Sequence, residues 1–143
     1  MARGPSRGCG LTAVVVDTSV VSYLLKEHSL APLYREHLKN RFLAVSFMTL
    51  AELYRWPFER GWGQAKISAL KSHLRDYVVL PYDDGMCWEW ARVMSKRGWP
   101  ISAADGWVAA TAIWHGVPLV THNLRNFRHV DGLRLISVPV EQV

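Results

Sequence analysis

The sequence predicts an α/β fold in which helices pack on both faces of a mostly parallel sheet of about five short strands. Short apolar runs rich in Val, Leu and Ile alternate along the chain with stretches whose apolar residues recur every three or four positions. Such alternation is typical of strand–helix units that build a parallel sheet. The chain has 143 residues, half of them hydrophobic and a fifth charged, which is the composition of a single globular domain.

Five apolar runs bounded by charged or turn-forming residues are predicted to be strands. They cover residues 12–16, 42–46, 77–81, 118–121 and 133–138. The segment before them is basic and rich in Gly and Pro, so residues 1–11 are predicted to form a flexible arm. One domain is therefore expected over residues 12–143.

Helices are predicted between the strands from apolar residues spaced three or four apart. Three groups show this spacing: Leu30, Leu33, Tyr34 and Leu38; Ile67, Leu70 and Leu74; and Met86, Trp90, Val93 and Met94. A further, almost wholly apolar helix follows Asp105 and ends at Gly116 and Pro118. These helices are expected to leave the carboxyl edge of the sheet open.

Four polar residues stand where predicted strands end or predicted helices begin: Asp17, Glu52, Asp105 and Asn123. In an α/β sheet such positions meet in one crevice. Three carboxylates and an amide gathered there would form an oxygen-rich site suited to Mg²⁺ or Mn²⁺. The pattern therefore predicts a metal-dependent enzyme that acts on phosphate.

Each of the four residues also has a purely local interpretation, which the sequence leaves open. Asp17 and Asp105 are good helix N-caps, and Thr49 with Glu52 matches a capping box. Asn123 is a natural turn former at a strand exit.

The charge balance favours a polyanionic partner. Lys and Arg number 17 against 12 Asp and Glu, a formal net charge of +5, and such an excess suits nucleic acid. Arg55, Arg125 and Arg128 are the predicted phosphate contacts because they lie near the candidate site in sequence. Arg55 could instead pair with Glu52 one helical turn away.

The remaining composition points to a cytoplasmic protein. The two cysteines, Cys9 and Cys87, fit neither a CxxC motif nor a disulfide framework, which favours a reducing compartment. No apolar run reaches the eighteen or so residues that a membrane span requires.

The motifs around these residues resemble, in order, those of the PIN-domain family, and most of all the VapC-type toxins of bacterial toxin–antitoxin pairs. The resemblance covers about residues 13–138 and rests on four segments: Val14 to Ser19, Thr49 to Leu53, Asp105 to Ala112, and Val120 to Phe127. It implies an α/β/α sandwich and a Mg²⁺- or Mn²⁺-dependent endoribonuclease. It also implies a homodimer that a small VapB-like antitoxin silences.

Carried over by position, the resemblance makes Asp17, Glu52 and Asp105 the metal ligands and places Asn123 fourth in the catalytic set. Many relatives have Asp three positions later, where this chain has Asn126. Two alternatives stay open: a non-catalytic PIN-like module that binds RNA or a partner, and a housekeeping RNA-processing nuclease without an antitoxin.

Histidine and tryptophan positions complete the expectations. His122 is expected to be a solvent-exposed loop residue, and Trp88, Trp90, Trp107 and Trp114 are expected to lie in the core. Trp56 and Trp62 flank Pro57 and Gly61, which are predicted to break the helix after Glu52. The resulting aromatic segment is expected to present a groove for an antitoxin helix or a second copy of the chain.

Overall fold

The computed structural model describes residues 12–138, and at its centre lies a five-stranded sheet. The strands are β1 (Thr12–Val16), β2 (Arg41–Ser46), β3 (Val78–Leu80), β4 (Leu119–Val120) and β5 (Leu135–Ile136), in the order β3-β2-β1-β4-β5. Every pairing is parallel, so all five carboxyl ends lie along one edge. The predicted fold class and strand positions are confirmed, although β3, β4 and β5 are shorter than predicted.

Seven helices connect these strands within residues 12–138. They are α1 (Thr18–Leu25), α2 (Ala31–Leu38), α3 (Phe47–Arg60), α4 (Gln64–Leu74), α5 (Asp84–Met94), α6 (Ala103–His115) and α7 (Leu124–Phe127). Each of them is too short or too polar to span a lipid bilayer. The predicted arm, residues 1–11, and residues 139–143 lie outside the described part of the chain, so the domain boundaries stay a prediction.

The central strand shows why the sheet needs helices on both faces. Val14 and Val16 point into a cluster with apolar residues of α1 to α4, whereas Ala13 and Val15 point into a second cluster with residues of α6. The three valines are fully buried, and burying each contributes up to about 1.5–3 kcal/mol. The alternation along β1 therefore produces the three layers of the α/β/α sandwich.

The topology places a crevice beside the central strand. The chain moves outward from β1 to β2 and β3, then returns to the other side of β1 to form β4 and β5. The connections leave β1 and β4 in opposite directions, and open α/β sheets bind their ligands at such a switch point.

The predicted break in the helix after Glu52 is wrong. Helix α3 continues through Pro57 to Arg60 and ends at Gly61, which adopts the left-handed conformation at φ 60°. Trp56 and Trp62 pack against the core, and their ring centroids lie 6.4 Å apart. This packing keeps the segment helical although proline has no backbone N–H to donate a hydrogen bond.

Candidate active site at the carboxyl edge of the sheet

Asp17 occupies the carboxyl end of β1 and is almost wholly buried, with 3% of its surface exposed. Its Oδ2 accepts hydrogen bonds from Oγ1 of Thr121 at 2.7 Å and from Oγ of Ser19 at 2.9 Å. Burial raises the pKa of the carboxyl group, and these hydrogen bonds act in the opposite direction. Asp17 does occupy the N-cap position of α1, but its side chain makes no capping hydrogen bond.

Glu52 lies in the second turn of α3, where its side chain contacts the first residue of α1. The helix begins at Phe47 with Ser46 as its N-cap, so the capping-box interpretation of Glu52 is wrong. Its Oε1 instead accepts a hydrogen bond of 2.9 Å from Oγ1 of Thr18. Burial is the largest influence on the Glu52 carboxyl group and raises its pKa.

Asp105 lies in the first turn of α6 and is half-buried. The N-cap is Ser102, whose Oγ accepts a hydrogen bond of 3.0 Å from the backbone N–H of Asp105. The Asp105 carboxylate is thus not used to cap the helix, and its Oδ2 accepts a hydrogen bond of 3.3 Å from Nδ2 of Asn126. Burial raises the pKa of Asp105 most, followed by the negative charge of Asp17.

The three carboxylates therefore lie near enough to one another for their charges to interact. The charge of Asp17 raises the pKa of both Glu52 and Asp105, and Asp105 also raises that of Glu52, in each case after the larger effect of burial. Negative charges this close together repel one another, and a bound cation relieves that repulsion. The structure brings together the three acids that the sequence singled out.

The donor set fits a hydrated divalent cation. Within residues 12–138, no three His, Cys, Asp or Glu side chains converge tightly enough to enclose one ion by direct ligation. Mg²⁺ retains several waters when bound and needs only one or two carboxylates. Asp17, Glu52 and Asp105 could hold such an ion partly through its waters, since all of their oxygens are hard donors.

The two asparagines differ in what they contact. Asn123 stands at the N-cap of α7 with an exposed side chain, and its backbone N–H donates to Oγ1 of Thr121 at 3.0 Å. It is the side chain of Asn126 that contacts an acid, Asp105. A catalytic role for Asn123 stays a prediction.

The three arginines that were predicted to contact phosphate occupy different surroundings. Arg125 lines a cleft together with Asp105 and Asn126. Arg55 is exposed on α3 and pairs with Glu59 at 2.7 Å, not with Glu52, although its charge lowers the pKa of Glu52. Arg128 lines the adjoining cavity.

Sequence reasoning missed the hydroxyl groups that orient the carboxylates. The hydroxyl groups of Thr18 and Ser19 donate hydrogen bonds directly to the carboxylates of Glu52 and Asp17, respectively. Thr121 lies in the fourth motif, but no function was predicted for it. It is fully buried, and its hydroxyl group donates a hydrogen bond to Asp17. The one signal available in the sequence was a threonine at the end of the predicted strand 118–121, two positions before Asn123.

His122 is not the solvent-exposed loop residue that was expected. It is half-buried, and its Nδ1 lies 2.6 Å from the hydroxyl oxygen of buried Tyr34. Its backbone N–H donates to Oγ of Ser19 at 3.2 Å, so His122 helps to hold the turn beside Asp17.

The tryptophans only partly follow expectation. Trp90 and Trp107 stack with centroids 5.0 Å apart and are half-buried, as is Trp114. Trp88 is 74% exposed, which contradicts its predicted core position. Nearby on the same helix, Glu89 and Arg92 form an ion pair of 2.8 Å.

An apolar groove between α3 and α4 lies apart from the acids. It is called the α3–α4 groove, has a volume of about 550 Å³, and is lined by Tyr54, Pro57, Phe58, Trp62, Ile67 and Leu70 among others. Phe58 is 89% exposed there. A ring so exposed is a candidate partner contact.

The chain is similar to known proteins over most of its length. The sequence model of the PIN domain family matches residues 14–133 of this chain. The chain is 30% identical to Ribonuclease VapC1 of Haemophilus influenzae (strain R2866) over 125 residues, which cover 84% of this chain and 93% of that protein.

Solved structures show the same fold. VapBC2 from Rickettsia felis, bound to a DNA fragment from its promoter, matches with a TM-score of 0.80 and 22% identity, over 90% of this chain and all of that one. VapBC-1 from nontypeable Haemophilus influenzae matches with a TM-score of 0.73 and 28% identity, over 88% and 98% of the two chains.

Proposed function

This chain belongs to the PIN-domain family, as a relative of the VapC ribonucleases, and from that premise we propose that it is a divalent-metal-dependent endoribonuclease toxin. The observation that supports the proposal is that Asp17, Glu52 and Asp105, which come from three separate parts of the chain, lie near enough for their charges to interact. A fold that required only stability would not collect carboxylates whose charges destabilise one another.

The residues of the chain divide the work between them. When bound, Mg²⁺ or Mn²⁺ would neutralise phosphate charge and activate a water for in-line attack. Asp17, Glu52 and Asp105 provide the negative oxygens, and hydroxyl donors on Thr121, Ser19 and Thr18 hold the first two in fixed orientations. Such fixed orientation tightens ion binding because little ordering is left to occur.

Substrate contact is assigned to the basic side chains at the cleft. Arg125 shares the cleft with Asp105, which makes it the first choice for a phosphate of the RNA. Arg55 and Arg128 lie further along the surface and would contact neighbouring phosphates. Asn123, exposed beside Thr121, would complete the polar edge of the site.

Partners follow from the relatives. The structural neighbours include VapBC assemblies, so we assign this chain a VapB-like antitoxin, and the α3–α4 groove supplies an apolar surface for it. A homodimer and a cytoplasmic location, where RNA substrates are found, complete the proposal.

The test is cleavage of a structured RNA pool by purified, antitoxin-free protein with Mg²⁺, with Mn²⁺ and with EDTA. Asp105→Asn should abolish cleavage, because it removes a carboxylate from the crevice with little loss of packing. Asp84→Asn is the matched control, since Asp84 is an exposed acid in the first turn of α5.

Each outcome has a defined meaning. Metal-dependent cleavage that is lost only in Asp105→Asn supports the enzyme and its site together. RNA binding without cleavage, unchanged by EDTA and by Asp105→Asn, would favour a non-catalytic binding module. Cleavage by a chain whose gene has no antitoxin gene beside it would favour a housekeeping nuclease.

A further inference from the structure

A second cavity adjoins the crevice that holds Asp105. Both cavities are lined by Pro100, Ile101, Arg125 and Asn126. They are therefore two parts of one cleft. The second part has a volume of about 230 Å³ and adds Trp99, Arg128 and His129 to its lining; it is called the Trp99 pocket.

The Trp99 pocket contains a preformed aromatic plane. The rings of Trp99 and His129 are stacked, with centroids 3.5 Å apart and planes inclined by 16°. Nε of Arg128 donates to Nε2 of His129 at 3.2 Å, which fixes the ring that supports the indole. Trp99 is nevertheless 49% exposed, so much of its surface stays open to a ligand.

The charges around this plane favour an anionic ligand. Within residues 12–138, neither Arg125 nor Arg128 has a carboxylate partner. Lys96, in contrast, pairs with Asp131 at 3.3 Å and donates to the carbonyl oxygen of His129 at 2.8 Å. Lys96 therefore holds the wall of the pocket in place, while two guanidinium groups are available to a ligand.

The pocket is small for an extended organic ligand, since drug-sized molecules occupy about 300–1,000 Å³. A single base with its phosphate is a better fit. Aromatic planes bordered by arginines are the usual platform for single-stranded nucleic acid, because every base has a face on which an indole can stack. Its continuity with the Asp105 crevice makes RNA the ligand that the pocket would meet.

We propose that the Trp99 pocket binds one nucleotide of single-stranded RNA next to the cleaved phosphate, with the base stacked on Trp99 and the backbone held by Arg125 and Arg128. The inference rests on the proposed ribonuclease function and adds a specificity-determining subsite to it. It makes Trp99 a substrate-binding residue that contributes to the KM for RNA more than to kcat.

The first experiment measures binding of a labelled single-stranded oligoribonucleotide by fluorescence anisotropy in an Asp17→Asn background, which prevents cleavage. Trp99→Ala should weaken binding about tenfold, within the range found when a stacking side chain is truncated. Trp99→Phe should retain most of the affinity. Trp88→Ala, which removes another exposed indole that does not line the cleft, should have no effect.

The second experiment removes the base instead of the indole. An abasic nucleotide beside the cut phosphate should raise the KM of the active protein by the same factor as Trp99→Ala, with kcat nearly unchanged. Combining the two changes should add nothing further, because both remove one contact.

Several results would overturn the subsite. Equal RNA affinities of the Trp99→Ala and Trp88→Ala variants would do so. Additive effects of the abasic nucleotide and Trp99→Ala on KM would also do so. A loss of antitoxin affinity with unchanged RNA affinity would assign the pocket to the antitoxin instead. Trp99→Leu keeps bulk without a stacking face, so it serves as the test variant if the alanine variant is unstable.

The proposed function and the subsite can fail separately. Absence of cleavage by the unaltered protein with either metal would reject the ribonuclease, while the anisotropy comparison would still report whether Trp99 binds RNA. Normal cleavage that does not depend on Trp99 would reject the subsite alone.

Discussion

Oγ1 of Thr121 donates a hydrogen bond of 2.7 Å to Oδ2 of Asp17, although 104 positions separate the two residues in the sequence. They meet because β1 and β4 are parallel neighbours and each residue directly follows its strand. The same Oγ1 accepts a hydrogen bond from the backbone N–H of Asn123. One buried hydroxyl thus links a carboxylate of the site to the loop that follows β4.

Replacing Thr121 with valine should weaken metal-supported cleavage while preserving the shape of the side chain. The variant loses the donor to Asp17 and the acceptor for Asn123, and the loss of such an orienting contact typically costs about 10–100-fold in ion affinity or activity. Titration of cleavage with Mg²⁺ measures the effect. Thr121→Ser, which keeps the hydroxyl group, should retain most of the cleavage activity. Full activity in the valine variant would show that the hydrogen bond does not contribute to function.

Asp105→Asn should stabilise the metal-free protein at neutral pH. Burial and the charge of Asp17 raise the folded-state pKa of Asp105 above its ordinary value of 3.8. The stabilisation that protonation provides is complete below the unfolded pKa and is lost as the pH rises through the folded pKa, so at pH 7 the ionised group disfavours the fold. The variant should melt a few degrees higher without metal.

The same melting experiment with Mg²⁺ or Mn²⁺ provides the control. The ion should raise the melting temperature of the unaltered protein, because it binds only the folded state, and should do so less in Asp105→Asn. Equal metal responses in both proteins would place the ion elsewhere.

Cleavage should decline on acidification from a higher pH than ordinary carboxylates would produce. The pKa values of Asp17, Glu52 and Asp105 are all raised, with burial as the first cause, and each group must be ionised to attract a cation. Protons and the ion compete, so a higher Mg²⁺ concentration should move the decline to lower pH. A pH–rate profile that is the same at two Mg²⁺ concentrations would contradict this prediction.

Gly85→Ala should destabilise the fold by about 1–3 kcal/mol, as overpacking does. A Cβ at Gly85 would overlap the Trp114 ring, which is fixed by its hydrogen bond of 2.9 Å to Oδ2 of Asp83. Urea unfolding measures the change. Gly63→Ala should have little effect, since nothing lies within 4 Å of the added atom. Alanine is a poorer helix N-cap than glycine, but it also restricts the unfolded chain, and these two effects on stability oppose each other. Equal effects at the two glycines would exclude a steric cause.

Phe58→Ala should weaken binding of the antitoxin while leaving RNA cleavage intact. Phe58 is 89% exposed at the α3–α4 groove, apart from the carboxylates, and truncating an aromatic hot-spot residue at an interface costs about 2 kcal/mol or more. Titration calorimetry with the antitoxin, alongside a cleavage assay, separates the two activities. Leu33→Ala, on an exposed part of α2, is the control; equal binding by both variants would move the antitoxin to another surface.

The sequence predicted the sheet well because buried parallel strands consist of continuous apolar runs. It also placed Asp17, Glu52 and Asp105 near one another, since the rule that strand ends meet at one edge requires no knowledge of side-chain packing. Helix boundaries were harder to predict. Ser46, not Thr49, caps α3, and both are hydroxyl residues that local pattern alone cannot rank.

Contacts between distant segments were beyond sequence reasoning. Proline at position 57 is a strong helix breaker, but the packing of Trp56 and Trp62 on the core overrides that local preference. The burial of His122 depends on Tyr34, which is 88 positions away. Only the folded chain shows such pairs.

The carboxylates of the crevice come from positions 17, 52 and 105, and the hydroxyl that orients the first of them comes from position 121. A ribosome that has synthesised only the first two thirds of the chain has therefore made a polypeptide with no working site. An unfinished or prematurely terminated chain lacks part of the proposed site. The proposed site is therefore completed in one late step of synthesis, once the chain extends beyond position 121.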